Sequence, residues 1–154
     1  MGLWDSLKAV SNLVTGGGAK VTLEVIAPSV REPIQVTIRA EVGDSDLNVR
    51  RVYLMVRAEE DVEIPDVPMA DEDGTIIRQE LERETETCRL SFDIAGEIEL
   101  PAGSSHEWQA QIELPVNAQP TYKGRYAEHE WKFFAGLDTF GNDPDSGWME
   151  IIIQ

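Results

Sequence analysis

The chain has 154 residues, of which 13 are basic and 29 acidic, so its formal net charge is −16. That length suits one domain with its own core. The acidic balance repels nucleic acid and anionic membrane surfaces at long range, so we expect neither as a partner, whereas a protein with a basic surface is a plausible one. Cys88 is the single cysteine, so no disulfide can form within the chain and we expect a cytoplasmic location.

The N-terminal segment differs from the rest of the chain in its periodicity. Leucines and valines recur at helical spacing over residues 3–14, which predicts a short amphipathic helix. The three glycines that follow favour a stop and a flexible joint. We therefore divide the chain into residues 1–18, a helix with a glycine joint, and residues 19–154. The helix has no basic face, so we expect it to dock on the domain or to form a homo-oligomer and not to bind a membrane.

After the glycines the apolar period becomes two, which is typical of strands with one buried face. No segment between these strands is long enough to supply a crossover helix, so the pattern predicts an all-β antiparallel sandwich. Residues 76–86 fit either a charged edge strand or a short helix. Trp108, Trp131 and Trp148 are expected in or beside the core. The predicted strands lie near residues 20–25, 34–42, 51–58, 88–94, 106–114, 129–137 and 148–153.

Six short motifs in the second half of the chain carry a family resemblance. In chain order they are Leu100-Pro101-Ala102-Gly103, Ile112-Glu113-Leu114-Pro115, Pro120-Thr121-Tyr122-Lys123-Gly124, Trp131, Ala135-Gly136-Leu137-Asp138 and Asn142-Asp143-Pro144. Together they resemble the arrestin-like fold group, and most of all its bacterial sporulation-control branch. The resemblance implies an immunoglobulin-like sandwich of arrestin type that acts as a regulatory adaptor, with no catalytic residues and no cofactor. The chain is shorter than the two-lobed members, which implies a single lobe.

The segment 59–75 interrupts the strand pattern and is our candidate partner site. It contains eight carboxylates, two prolines and no basic residue. Loops on a rigid sandwich often carry function, although a run of charge can also be only a solvated surface. The candidate residues are Glu59, Glu60, Asp61, Glu63, Asp66, Asp71, Glu72 and Asp73.

Residues that could support catalysis are scarce. His106, His129 and Cys88 all fall on apolar sides of predicted strands, where packing is the commoner role. A hydrolase using a carboxylate pair stays open because so acidic a chain offers many pairs, but nothing selects one. We therefore predict a non-enzymatic protein-binding module.

The alternative function is a calcium-responsive binding module. Loops at one end of a sandwich can supply the several oxygen ligands that Ca²⁺ takes. The candidate ligands are Asp71, Asp73, Asp143 and Asp145, although their spacing matches no helix-loop-helix calcium site.

Overall fold

The computed structural model describes residues 8–11 and 18–154 of the chain. In that part every regular element is a strand, so it contains no helix that could cross a membrane. The strands are β1 (Lys8–Ser11), β2 (Ala19–Ile26), β3 (Ile34–Val42), β4 (Leu47–Ala70), β5 (Ile76–Ala95), β6 (Ile98–Leu100), β7 (Ser105–Ile112), β8 (Tyr122–Lys123), β9 (Ala127–Thr139) and β10 (Met149–Ile151).

Two antiparallel sheets form the sandwich. The first has the order β1-β2-β3-β7. The second has the order β10-β9-β4-β5, and β6 pairs with β4 while β8 pairs with β9. The antiparallel all-β sandwich predicted from the period-two alternation is confirmed, because each pairing between these strands is antiparallel.

The core lies between the two sheets and is built from alternate residues of their strands. Burial of such apolar rows is the main force that holds two sheets together. The rows predicted to face inward on β2, β3, β4 and β9 are all buried. Their members are Val21, Leu23 and Val25 on β2, Val36, Ile38 and Ala40 on β3, Val52, Leu54 and Val56 on β4, and Trp131, Phe133, Ala135 and Leu137 on β9.

The helix predicted over residues 3–14 is not supported. Lys8–Ser11 is a strand, β1, which pairs with the edge of β2, with Lys8 opposite Ile26 and Ser11 opposite Leu23. An open sheet edge supplies backbone partners to a segment that borders it, and such tertiary pairing overrides weak local helix propensity. The remaining residues of this prediction lie outside the described part of the chain, so a homo-oligomer formed through them stays a prediction.

Two side chains of β9 anchor the segment that precedes β8. The indole Nε1 of Trp131 donates a hydrogen bond to the carbonyl of Gln119 at 2.8 Å. The carbonyl of Pro120 lies 3.0 Å from Nδ1 of His129. A carbonyl only accepts, so Nδ1 carries a proton and donates it, and Nε2 lies 2.6 Å from the Thr87 hydroxyl. The motifs around residues 120 and 131 therefore hold the sandwich together.

A second anchor fixes the loop between β9 and β10. Tyr53 lies opposite Gly136, and a Cβ added to that glycine would stand 2.4 Å from the Tyr53 ring. Only glycine therefore allows the ring to lie over β9. The Tyr53 hydroxyl then reaches Asp143 at 3.0 Å, and Asp143 also accepts from the backbone N–H of Thr139 at 2.9 Å. The absence of a side chain at Gly136 and the carboxylate of Asp143 together hold Tyr53 in this position.

The three tryptophans differ in burial. Trp131 is fully buried and Trp108 packs partly against the core, as predicted. The expectation for Trp148 is wrong, because 43% of this side chain is exposed. It lies on the outer face of its sheet, where it contacts Phe134 with ring centroids 5.2 Å apart and the Arg57 guanidinium at 4.8 Å. An aromatic ring can rest on an arginine and a second ring without entering the core.

Trp131→Ala is expected to lower the free energy of unfolding by about 3–5 kcal/mol, because it removes a large buried aromatic and leaves the Gln119 carbonyl unpaired. The matched control is Trp148→Ala, which removes the same side chain from an exposed position and should cost about 1 kcal/mol or less. Urea denaturation followed by circular dichroism measures both. Equal losses for the two variants would contradict the placement of Trp131 in the core.

Candidate functional site: an acidic hairpin arm

Strands β4 and β5 are longer than the sandwich that contains them. The last pair that β4 makes with β9 is Val62 with Ala127, and one more hydrogen bond joins the Glu63 N–H to the Tyr126 carbonyl at 2.8 Å. Beyond that point β4 and β5 pair only with each other, as far as Ala70 and Ile76. Residues 63–82 therefore form a two-stranded hairpin arm.

This arm corrects the view of residues 59–75 as a loop. Residues 59–70 belong to β4, and residues 76–86, left open between strand and helix, belong to β5. The prolines are compatible with a strand because pairing on β4 is one-sided here. Backbone groups alternate in direction along a strand, and the register puts the nitrogens of Pro65 and Pro68 on the side away from β5, where no N–H is needed.

Carboxylates collect on the outer face of the arm and its base. Cross-strand partners share a face, and the register places Asp61 opposite Glu84 and Glu63 opposite Glu82. Carboxylate oxygens of Glu63, Glu80 and Glu82 lie within 4.8 Å of one another. Like charges directly opposite are destabilising, so this face repels itself. We call Asp61, Glu63, Glu80, Glu82 and Glu84 the acidic ladder.

The opposite face of the arm is mainly apolar, with Arg83 opposite Val62 and Gln79 opposite Val67 among its polar side chains. It continues the core-facing side of β4 and β5 past the end of the sandwich, since Ile64 lies opposite Leu81 and Met69 opposite Ile77. Outside the sandwich these residues are open to solvent, with Leu81 48% and Met69 46% exposed. The apolar stripe consists of Val62, Ile64, Val67, Met69, Ile77 and Leu81.

Asp71 organises the turn at the tip. Its Oδ1 accepts hydrogen bonds from the backbone N–H groups of Asp73 at 3.0 Å and Thr75 at 2.8 Å. Gly74 closes the turn with a φ of 78°, a left-handed conformation that favours glycine. Asp71 thus has a structural task in addition to its charge.

The eight residues predicted as the partner site do not form one cluster. Glu59, Asp61 and Glu63 lie on the outer face. Glu60 lies on the other face, where its carboxylate accepts a hydrogen bond from the Tyr122 hydroxyl, which raises the pKa of Tyr122. Asp66 stands at a bulge with a φ of 64° and is paired with Arg78 at 3.3 Å. Asp71, Glu72 and Asp73 occupy the tip.

Three of the five ladder residues were not among the candidates predicted from the sequence. Glu80, Glu82 and Glu84 come from β5, in the segment that fitted either a strand or a helix. A signal was present, since glutamates recur at every second position from 80 to 86. Of the nearby carboxylates, Glu86 is set apart by Arg89, which donates to both of its oxygens and lowers the pKa of Glu86.

Crowding is strongest at Glu80. Repulsion from the charge of Glu82 is the first cause, and a hydrogen bond with Glu63 the second, that raises the pKa of the Glu80 carboxyl above its ordinary value. A raised pKa means that the folded arm binds a proton more readily than the unfolded chain does. The ladder therefore holds its full charge at some cost in stability.

A groove of about 870 Å³ lies at the base of the arm, beside the turn between β8 and β9. Ladder carboxylates Asp61, Glu63, Glu82 and Glu84 line one part of it, and residues of the turn line the other. Lys123 in that turn is engaged with Glu128 at 3.6 Å. The charge of the groove wall formed by the arm is consequently negative.

Possible catalytic groups have structural roles in the described residues. His129 is buried, with both ring nitrogens used as described above. Nε2 of His106 lies 2.7 Å from the Ser104 hydroxyl. Burial raises the pKa of the Cys88 thiol, which keeps it in its less reactive protonated form. The Ser104 hydroxyl has a single proton and donates it to the Pro101 carbonyl, not to His106.

The proposed calcium ligands are also used within the fold. Asp71 caps the tip turn, Asp143 binds Tyr53, and Asp145 accepts from the Gly147 N–H at 2.8 Å. In the described part of the chain, the group of three or more carboxylates, histidines or cysteines close enough to share an ion is Glu63, Glu80 and Glu82, which includes none of these aspartates. Calcium binding by Asp71, Asp73, Asp143 and Asp145 stays a prediction.

Comparison with solved structures supports the fold. The structure of Spo0M, a sporulation control protein from Bacillus subtilis, matches 90% of this chain with a TM-score of 0.59 and 20% sequence identity. This chain corresponds to 50% of the Spo0M chain. No protein-family model matches, and neither does any curated protein sequence. The fold is therefore arrestin-like and similar to that of Spo0M, as the sequence motifs implied.

Glu80→Gln is expected to raise the melting temperature near pH 7, because it removes a carboxylate that Glu82 repels. A group whose pKa is raised on folding stabilises the fold increasingly as the pH drops through that pKa. The melting temperature of the wild type should therefore approach that of the variant at lower pH. The difference in melting temperature should narrow as the pH falls from about 7 toward the ordinary glutamate pKa of about 4.3.

Differential scanning calorimetry of both proteins checks this result. Glu97→Gln is the matched control, since it removes one exposed carboxylate away from the arm. A difference between wild type and Glu80→Gln that does not change with pH, or that equals the control, would contradict charge crowding in the ladder.

Proposed function

We propose that this protein is a non-enzymatic regulatory adaptor of the cytoplasm, which binds a partner protein with a basic surface through its hairpin arm. The observation that carries the proposal is the arm itself. It projects beyond the sandwich and presents the acidic ladder on one face and the apolar stripe on the other. A regulatory role is further supported by the likeness to Spo0M, whose description is that of a sporulation control protein.

Electrostatics favours a basic partner. The ladder places five carboxylates on one surface of a chain whose net charge is −16. Two nearby arginines are engaged elsewhere, since Arg78 pairs with Asp66 and Arg89 with Glu86, and Arg83 lies opposite Val62 on the other face of the arm. Such a surface steers a basic protein during encounter and raises the association rate more than it changes the dissociation rate.

The apolar stripe adds contact area that charge alone does not supply. Leu81 and Met69 in this stripe are about half exposed, and Ile77 is 37% exposed. Exposed apolar residues grouped in this way mark interaction sites more often than scattered ones do. A partner that covers the stripe and meets the ladder would bury apolar area and pair its own cations in one complex.

A ladder variant, Glu63→Gln with Glu82→Gln and Glu84→Gln, should slow association with the partner about tenfold or more at low salt. It should also abolish most of the salt dependence of the association rate, because the charges that salt would screen have been removed. The partner is first isolated from the native cytosol by affinity capture and mass spectrometry and then purified. Surface plasmon resonance at several salt concentrations gives the rates.

The control variant is Glu97→Gln with Glu99→Gln and Glu113→Gln, which removes the same charge from exposed positions outside the arm. It should keep most of the association rate and of the salt dependence. Equal rates for the ladder variant and the control variant would show that the partner binds another surface.

A further inference from the structure

The arm has two free edges, and they differ. Beyond Tyr126 the outer edge of β4 carries Pro65 and Pro68, which have no N–H to donate, and a bulge at Asp66 interrupts its register. Prolines and bulges are the usual means by which proteins close a sheet edge to further pairing. A strand cannot continue the sheet on this side.

The edge of β5 is open. In the described part of the chain β5 is the last strand of its sheet, and no proline interrupts Ile76–Ala95. The hydrogen bond from Glu63 to Tyr126 fixes which backbone groups face out, because direction alternates along antiparallel strands. Val62 then exchanges hydrogen bonds with Arg83, and the amides of Glu80, Glu82 and Glu84 point away from β4.

The same three residues therefore offer two things to an added strand. Their backbone N–H and C=O groups are directed to the open edge, and their side chains form the β5 half of the acidic ladder. The side chains between them, Leu81 and Arg83, lie on the other face. A strand that pairs here places alternate residues beside the carboxylates and beside Leu81 and Arg83, because side chains alternate between faces.

A second copy of this chain does not suit the site. Pairing two β5 edges would bring the glutamates of one ladder next to those of the other, and like charges in adjacent strands repel. Lysine or arginine at alternate positions would instead meet the ladder with opposite charge. The edge thus discriminates between occupants by charge.

We propose that the open β5 edge, at Glu80, Glu82 and Glu84, binds an extended partner segment by strand addition, with lysine or arginine alternating with apolar residues. This inference rests on the proposed function and specifies the recognition element of the partner. Main-chain hydrogen bonds supply affinity in such complexes, and the alternating side chains supply specificity.

The test uses synthetic peptides of about nine residues, enough to span residues 78–86 in an extended conformation. The first peptide alternates lysine and valine. The second has the same composition with its lysines in one block, and the third is the first with alternate backbone amides N-methylated on one edge. Fluorescence anisotropy with the full chain measures binding at low salt. We expect the alternating peptide to bind about tenfold or more tightly than either of the others.

Two protein variants locate the site. Glu82→Pro removes an edge N–H without removing a bond to β4, and should reduce the binding of the alternating peptide about tenfold. The matched control is Glu82→Gln, which also removes the carboxylate but keeps the backbone N–H. It should weaken binding less than Glu82→Pro does. Circular dichroism verifies that each variant folds.

The outcomes separate this inference from the proposed function. Equal affinity of the three peptides for the wild-type chain overturns strand addition, and this result needs no variant to fold. If the ladder variant still loses the natural partner, the proposed function stands and only the mode of binding is wrong. If the ladder variant keeps the natural partner, the proposed function fails whatever the peptides do.

Discussion

Backbone pairing between β4 and β5 continues from the sandwich into the hairpin arm, and the position of every ladder carboxylate follows from it. The register sets Glu63 opposite Glu82 and Asp61 opposite Glu84. Each such like-charged pair opposes strand pairing. The main-chain hydrogen bonds and the contacts of the apolar stripe must offset that cost. An arrangement that is locally unfavourable and yet built into a regular strand pair is one expected at a binding surface.

The sandwich gives the arm a fixed base. On one side of that base the Tyr122 hydroxyl donates to Glu60, so β8 is tied to β4 where the arm begins. Next to it the buried His129, which stacks on Tyr122, contacts Thr87 and so ties β5 to β9. Since His129 also donates to Pro120, a single buried side chain links three segments at the root of the arm. A rigid base limits the entropy that a partner must remove when it binds.

Sequence patterns predicted the sandwich well because burial imposes a strict period of two. The alternation from His129 to Leu137 faces the core at every predicted position. The family motifs were informative for a related reason, since Trp131, Gly136 and Asp143 make contacts that this fold requires. Packing and hydrogen bonding restrict which residue types these positions accept, so they can be recognised as motifs in the sequence.

The arm was harder to predict because the constraint there is pairing without burial. Apolar and polar residues still alternate from Asp61 to Ile64, but the bulge at Asp66 shifts that alternation, and the charges and prolines of residues 59–75 resembled a loop. The helix prediction at Lys8–Ser11 failed for another reason, because these four residues pair with the free edge of β2. In both cases the partner strand, which local sequence does not contain, decided the conformation.

Residue-resolved amide hydrogen exchange by NMR tests the central claim most directly. The account predicts alternating protection along β5 in the free protein. The amides of Leu81, Arg83 and Thr85 should exchange slowly, because their register directs them to β4, and those of Glu80, Glu82 and Glu84 should exchange fast. Uniformly fast exchange over residues 80–85 would show that the arm is not formed. Uniformly slow exchange would show that its β5 edge is already covered.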